Sequence, residues 1–268
     1  MIGIGIGLPF IKAGGNSAES LAWKARIEAN GGTISQALLD IFDTNFFIPA
    51  KANGNILTEL DRLNIYCGLV GFEIAARTNM IKNAHFVTPV SSPTFDNNGY
   101  KSSGTSYLDL NYNPLTQGVK LTQNDAHFGY CVKAPQFVSN RFPIGCQNTA
   151  STQVLRLRRQ ALELNGSINS GSGIAMAAAA TLANSFHAGF RIGVNSDRIA
   201  IDGSVTTSTN LSSTRPNFNM FELTINNNGS PLGGYDTNSH LCSWAGSSNL
   251  DYAAFRTILN NLFTALGV

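Results

Sequence analysis

Ser92-Pro-Thr-Phe-Asp-Asn-Asn-Gly-Tyr-Lys-Ser-Ser-Gly-Thr-Ser-Tyr-Leu-Asp-Leu-Asn-Tyr-Asn-Pro114 is the stretch from which the fold of this 268-residue chain is read. It has the pattern of two short strands around a turn. Pro93 stands at the opening of the first strand, where a missing N–H is tolerated. Asn97-Asn98-Gly99 supplies residues that accept positive φ, as a bulge or sharp bend requires. Ser102-Ser103-Gly104 reads as the turn. Tyr107, Asp109 and Asn111 then alternate with Leu108, Leu110 and Tyr112, a period of two that sends one set into a core and the other toward solvent. Pro114 closes the strand.

The same signals continue on the C-terminal side. Strand patterns recur at 72–76, 126–134, 142–146, 153–159, 186–194, 198–201, 218–225 and 241–245. Asn165-Gly166 and Asp202-Gly203 stand between them as hairpin turns. Strands separated by such turns argue for an antiparallel sandwich. The alanine-rich run at 175–183 fits either a short helix or a tightly packed strand. The chain closes on a helix capped by Ser248 or Asn249, with Tyr252, Phe255, Ile258, Leu259, Leu262 and Leu266 at helical spacing.

On the N-terminal side the pattern is helical. Asn16-Ser-Ala-Glu19 reads as a capping box and Gly31-Gly32 as the stop of the first helix. A second helix begins after Thr33-Ile-Ser-Gln36 and ends at Pro49. A third carries Leu57, Leu60 and Leu63 as its stripe. Residues 1–15 alternate Ile with Gly; extended, they put Ile2, Ile4, Ile6 and Leu8 on one face. Such an arm either docks on a neighbour or forms an N-terminal strand of the chain's own sandwich. The expected organisation is an arm at 1–15, a helical assembly segment at 16–65, and a sandwich with its terminal helix at 66–268.

Thr94-Phe95, Gly99-Tyr100, Ser106-Tyr107-Leu108-Asp109 and Tyr112-Asn113-Pro114 together resemble the entry to a concanavalin-A-like (laminin-G-like) jelly roll. More narrowly, they resemble the version carried by tailed-phage virion proteins. Ala22-Trp23 in the first helix, Gly31-Gly32 and the terminal Leu266-Gly267 fit the same pattern. The resemblance covers most of residues 17–268. It implies a mainly β jelly roll, a virion location after synthesis in the host cytoplasm, and partners that are other virion proteins and further copies of itself. By likeness to virion fibres and spikes it implies a trimer.

Composition narrows the function. Charged residues are 13% of the chain, against about 25% in an average soluble protein, and the net charge is +2. Nucleic-acid binding needs a concentrated basic face, which such a balance does not supply. The one basic run, Arg156-Leu-Arg-Arg159, alternates on a strand and reads as a solvated face rather than a polyanion contact. No apolar run is long enough for membrane insertion, and the apolar start lacks the charged region and cleavage site of a signal peptide. Cys67, Cys131, Cys146 and Cys242 form no C-x-x-C pair and read as buried thiols.

Chemistry is thinly marked. The glutamates of the β region, Glu73, Glu163 and Glu222, are isolated, whereas glycoside cleavage needs a facing pair of carboxylates. His85, His127, His187 and His240 are dispersed, and no G-x-S-x-G occurs. The expectation is a protein that is not an enzyme, with no metal and no cofactor. Calcium is the one ion the laminin-G-like resemblance admits, on Asp96 with Asn97 and Asn98 or on Asp236 with Asn238, although turn formation explains both groups more simply. Glycan binding is the functional rival to a purely structural role: Tyr100, Tyr235, His240 and Trp244 are the candidates for stacking on sugar rings, as in a receptor-binding tail protein. Polysaccharide cleavage ranks behind both.

Overall fold

The structure is a computed structural model and describes residues 15–54, 56–136, 140–160, 162–177 and 183–268. Ile2, Ile4, Ile6 and Leu8 lie outside the described residues.

Helices open the described chain: α1 (Ala18–Ala29), α2 (Gln36–Phe42), a π-helical turn (Asp43–Phe47) and α3 (Ile48–Ala52). Next come β1 (Leu60–Ile65), α4 (Glu73–Arg77), β2 (Thr88–Val90), β3 (Thr94–Asp96), β4 (Gly99–Lys101), β5 (Tyr107–Asp109) and α5 (Pro114–Gln117). The middle of the chain is strand after strand: β6 (Asp125–Lys133), β7 (Arg141–Gln147), β8 (Val154–Gln160), β9 (Glu163–Ile168), β10 (Ile174–Ala177), β11 (Asn184–Ile192), β12 (Asp197–Ile201) and β13 (Ser204–Ser208). It ends with β14 (Phe221–Glu222), β15 (Asn226–Asn227), β16 (Ser230–Pro231), β17 (His240–Gly246) and α6 (Tyr252–Ala265).

These strands build a sandwich of two sheets. One runs β13-β12-β11-β6-β17-β4-β3, with β1 also paired to β17. The other runs β10-β9-β8-β7-β14-β5-β2, with β15 and β16 attached beside β7. Pairing is antiparallel except between β15 and β7. The stretch at 92–114 serves both sheets. β3 and β4 form a hairpin around Asn97-Asn98, where the Asp96 carboxylate accepts from Asn98 N at 2.8 Å. Residues 102–106, tied by Ser102 Oγ to Ser106 O at 2.6 Å, then carry the chain across to β5 in the second sheet.

The helices gather on the first sheet. Asp251 caps α6 by accepting from Ala254 N, and Phe255, Ile258, Leu259, Leu262 and Phe263 form its buried face. Phe263 stacks on Phe186 at 6.0 Å and Phe255 meets Trp244 edge-on at 5.2 Å. Burying five such side chains stabilises the docking by on the order of 10 kcal/mol before ordering entropy is subtracted. α6 also touches α2, the π turn and α3, and Trp23 of α1 packs against Phe42 at 4.7 Å, so both helical ends of the chain share one core with the sheet. We call this the covered sheet and its partner the open sheet.

Several expectations change. The stripe Leu57, Leu60, Leu63 is not a third helix; residues 60–65 are β1, buried at every position. A strand covered on both faces shows no period of two, so chance helical spacing misleads. Conversely 72–76 is helical, as α4. The second helix passes Pro49 instead of ending there, carrying it at the start of α3 beyond the π turn. Asn165-Gly166 lies inside β9 and is not a turn: a Cβ on Gly166 would stand 2.4 Å from the Ile199 Cγ2 of the opposite sheet, so the glycine serves close sheet packing. Of 218–225 only Phe221 and Glu222 are strand.

Candidate functional site

The interior between the sheets holds a polar network around His240. Its Nδ1 lies 2.8 Å from Glu222 Oε1 and its Nε2 3.1 Å from Asp236 Oδ2, and all three side chains are buried. Asp236 is ion-paired on its other oxygen with buried Arg159. Glu222 Oε2 accepts from Tyr66 OH at 2.6 Å and from Ser243 Oγ at 2.7 Å. Arg62 donates through Nη2 to Ser243 Oγ at 3.0 Å and Asn64 Oδ1 at 2.9 Å. Burial by itself would lower the pKa of His240, but its hydrogen bonds to Asp236 and Glu222, with their charges, outweigh burial and raise it. Burial would raise the pKa of Asp236; the Arg159 charge and the His240 hydrogen bond hold it well below the usual carboxylate range. His240 therefore sits as an imidazolium donating to a carboxylate on each side.

A second chain of hydrogen bonds adjoins it. Tyr130, whose ring stacks on His240 at 4.7 Å, donates to His187 Nδ1 at 2.5 Å. The Nε2–H of His187 then faces Ser185 Oγ at 3.0 Å, which donates to Asp202 Oδ2 at 2.7 Å. Burial holds His187 neutral, well below its ordinary value, with the Arg159 charge acting the same way. Glu222 and Asp236 thus face a histidine inside a closed core. Fully enclosed, the network clamps the two sheets together; it offers no place for a substrate.

This burial revises the proposed sugar contacts. Tyr100 is 3% exposed, wedged between Tyr66 at 5.4 Å and Phe95 at 4.5 Å. His240 and Trp244 are both 0% exposed. Trp244 lies beneath α6 and donates from Nε1 to His127 Nε2 at 3.3 Å. A ring with no open face cannot stack on a ligand, so these three belong to the core. Only Tyr235 reaches the surface, half-buried. The calcium candidates are likewise engaged. Asp236 accepts from Asn238 N at 3.0 Å and Nδ2 at 2.8 Å as well as from His240 and Arg159. Asp96 holds the Asn98 amide and pairs with Lys101 at 3.4 Å. Among the described residues no group of three or more His, Cys, Asp or Glu is placed to hold a metal ion. All four cysteines are buried free thiols, and among the described residues no helix is long and apolar enough to cross a membrane.

The outer face of the open sheet is different. Leu155, Leu157 and Arg159 of β8 point inward and are buried, so Arg156 and Arg158 point out, half-buried. Register places Arg156 beside Gly145, Gly145 beside Phe221, and Phe221 beside Asp109. Tyr107 covers Phe221 with ring centroids 4.6 Å apart. The Arg158 guanidinium lies over the Phe142 ring at 5.5 Å. Phe142 N donates to Gly234 O at 2.9 Å, which brings the segment carrying Tyr235 beside Phe142. Gln147, Asn165 and Asn219 complete the patch with amides. The signal for this face was present in the arginine alternation at 156–158. Tyr107, Phe142 and Phe221 carried none, because which face of a strand stays uncovered depends on where the helices pack. Two clefts lie on the helical side: one of about 140 Å³ beside Arg26 and Met80, one of about 200 Å³ beside Lys82 and His85. Both fall short of the ~300 Å³ at which small-molecule pockets begin.

Known proteins match this chain in fold only. No family model matches, and no curated protein matches. Among solved structures, domain 4 of AbnA, a GH43 extracellular arabinanase from Geobacillus stearothermophilus in complex with arabinotriose, aligns with a TM-score of 0.50 at 13% identity, over 76% of this chain and 98% of that one. The binding domain of botulinum neurotoxin serotype D aligns at 0.49 and 10%, over 76% of this chain and 52% of that one. Domains LG4-5 of the mouse laminin alpha1 chain align at 0.34 and 13%, over 51% and 38%. Topology and the arabinanase-domain alignment agree that the protein is a mainly β, antiparallel jelly-roll sandwich, closed by a C-terminal helix.

Proposed function

We propose that the protein is a glycan-recognition component of a tailed-phage virion, held to the particle through its N-terminal region and presenting the open sheet outward. One observation carries the binding half: among the described residues, no helix covers the outer face of the open sheet as helices seal the covered sheet, and half-exposed Tyr107, Phe142 and Tyr235 lie on it among amides and guanidiniums. A sugar offers an apolar C–H face and a rim of hydroxyls. Aromatic rings serve the first, planar amide and guanidinium donors the second. The arabinanase domain, solved with arabinotriose, is a precedent for a sandwich of this shape holding a sugar, by fold analogy alone.

The particle half rests on the resemblance of 92–114 to virion jelly rolls and on a low-charge composition suited to tight homo-oligomers, of which a trimer is the reading here. Binding without cleavage fits the carboxylates: Glu222 is turned into the core and Glu163 stands exposed at the start of β9. A glycan array tests the reading directly. The intact protein should bind a defined subset of glycans, and Tyr107→Ala and Tyr235→Ala should each weaken it at least tenfold with the melting temperature kept. An array without any bound glycan would leave a passive structural subunit. For the particle half, deletion of residues 1–14 should yield a folded, soluble protein absent from purified virions; normal incorporation would place the anchor elsewhere.

A further inference from the structure

A sheet edge is a row of backbone donors and acceptors open to another strand, and proteins commonly guard it with proline, charge or brevity. β2 is three residues long with Pro89 at its centre. β3 is three residues long, follows Pro93 and holds the Asp96–Lys101 ion pair at 3.4 Å. β10 ends at Ala177 against residues outside the described ones. β13, Ser204-Val-Thr-Thr-Ser208, ends the covered sheet and has none of these guards. It is five residues long, without charge or proline, and pairs with β12 position for position. Ser204, Val205 and Thr207 are exposed.

The hydrogen-bond phase of this edge is fixed. Asp202 and Gly203 turn the hairpin at φ +51° and +92°, the two-residue turn whose flanking pair, Ile201 and Ser204, exchanges both bonds. Asp202 N donates the other way, to Phe186 O of β11 at 2.9 Å, so along β12 the even-numbered residues face β11 and the odd-numbered ones face β13. Ile201, Ile199 and Asp197 therefore bond to Ser204, Thr206 and Ser208. The N–H and C=O of Val205 and of Thr207, four groups in all, point off the sheet, and among the described residues no strand lies beyond them.

The spacing of these groups is self-complementary. Laid antiparallel with Thr206 facing Thr206, a second β13 sets its Thr207 against Val205, and the two residues exchange both bonds. The two-fold axis repeats the exchange, so all four groups of each strand are satisfied; a shift by two residues leaves part of the set unpaired. Ser204 then meets Ser208, and no charge meets its like. Val205, β-branched, gains the Thr207 methyl as its cross-strand neighbour. Val194 and Leu211, both exposed, stand together past the end of the strand, where Ser212 N donates to Val194 O at 2.8 Å, and extend the apolar rim.

We propose that β13 is a contact between copies of this chain: two β13 strands pair antiparallel about a two-fold axis at Thr206 and join two covered sheets into one. The inference rests on the self-association in the reading above and adds a second contact to it. With the three-fold contact of that reading the assembly has six copies; without it, two. Closed two-fold contacts are the commonest kind in soluble oligomers, and strand addition is an established way to make one.

The mass of the full chain is measured by light scattering across about 1–100 µM. The parent should hold an even number of copies. Thr207→Pro deletes an outward N–H and spares the ladder to β12; Val205→Lys sets a cation on the edge. Each should halve the mass with circular dichroism unchanged. Thr206→Cys reads the register: facing Cα atoms of such a pair lie about 4.5 Å apart, within disulfide reach, so mild oxidation should link the copies. Ser204→Cys, about 13 Å from its counterpart across the axis, should not link. The four native cysteines are buried. A monomer at the highest concentration would overturn both the inference and the self-association behind it. An odd-numbered parent, or a mass that survives both edge variants, would overturn the inference alone and place self-association on another surface. Linking at position 204 without linking at 206 would overturn the two-fold register. The cysteine pair decides the contact even if an edge variant misfolds.

Discussion

Strand β8 carries arginines to both sides of one sheet, and the two sides treat them differently. Arg159 points inward and meets Asp236, which meets His240, which meets Glu222. Arg156 and Arg158 point outward and meet amides and, for Arg158, the Phe142 ring. Strand β14 repeats the division in two residues: Glu222 faces the core network and Phe221 the open face. Inside, water cannot compensate a charge, so each ionised group shown in the network is matched by hydrogen bonds or an opposite charge. Outside, partial exposure to water lets a cation stand without a counter-charge. Position relative to the sheet, not residue type, separates an arginine matched by a carboxylate from one held by neutral groups.

The sharpest way to break this contrast is from the inside. Glu222→Ala strips His240, Tyr66 and Ser243 of a common acceptor in a closed core. The expected loss is about 3–5 kcal/mol of unfolding free energy, the range for removing one partner of a buried charged pair, read as a lower denaturant midpoint. An unchanged midpoint would mean that the network does not hold the sheets together.

The histidines give an intermediate effect with a definite sign. The folded pKa of His240 is raised, so its contribution is complete below its unfolded value of about 6.5 and fades as pH climbs through the folded value. His127, pushed by burial down to about 3, and His187, well below normal, act the other way: below about pH 6.5 the unfolded chain takes up protons that the fold refuses. Each proton contributes a slope approaching 1.4 kcal/mol per pH unit, so up to about that much stability per unit is lost on the alkaline side and up to about twice as much on the acid side, where two histidines act together. Melting temperature should peak near neutrality, and His240→Gln should flatten the limb above about pH 6.5. A profile that keeps rising above about pH 6.5 in the parent protein would contradict the imidazolium assignment.

The smallest expected effect comes from the outside. Arg158→Gln removes a half-exposed cation bonded to one amide and should change stability by no more than about 0.5 kcal/mol. A loss above 1 kcal/mol would show that this arginine supports the fold and would erase the division on which the comparison rests.

Much of the fold is legible from local pattern. The terminal helix follows from its apolar spacing, the turn at Asp202-Gly203 from residues that accept positive φ, and the strands at β6, β8, β11 and β12 from their alternation. The misread elements share a cause. β1 is buried on both faces and α4 is five residues long, so neither displays a clear period. Asn165-Gly166 has turn chemistry, yet its glycine answers to Ile199 across the sandwich. The aromatic candidates fared similarly: Tyr100, Trp244 and Tyr235 look alike as letters, but Trp244 is sealed by α6 and Tyr235 reaches the surface.

By itself the sequence determined the β class, the helical ends and the sparing use of charge, because those follow from periodicity and composition along a short span of chain. The tertiary structure decided which face of the sandwich is covered, which arginines are matched, and that Glu222, Asp236 and His240 meet at all. Those outcomes depend on contacts between residues far apart in the chain, and local propensity carries no information about which distant partner will supply the counter-charge or exclude the water.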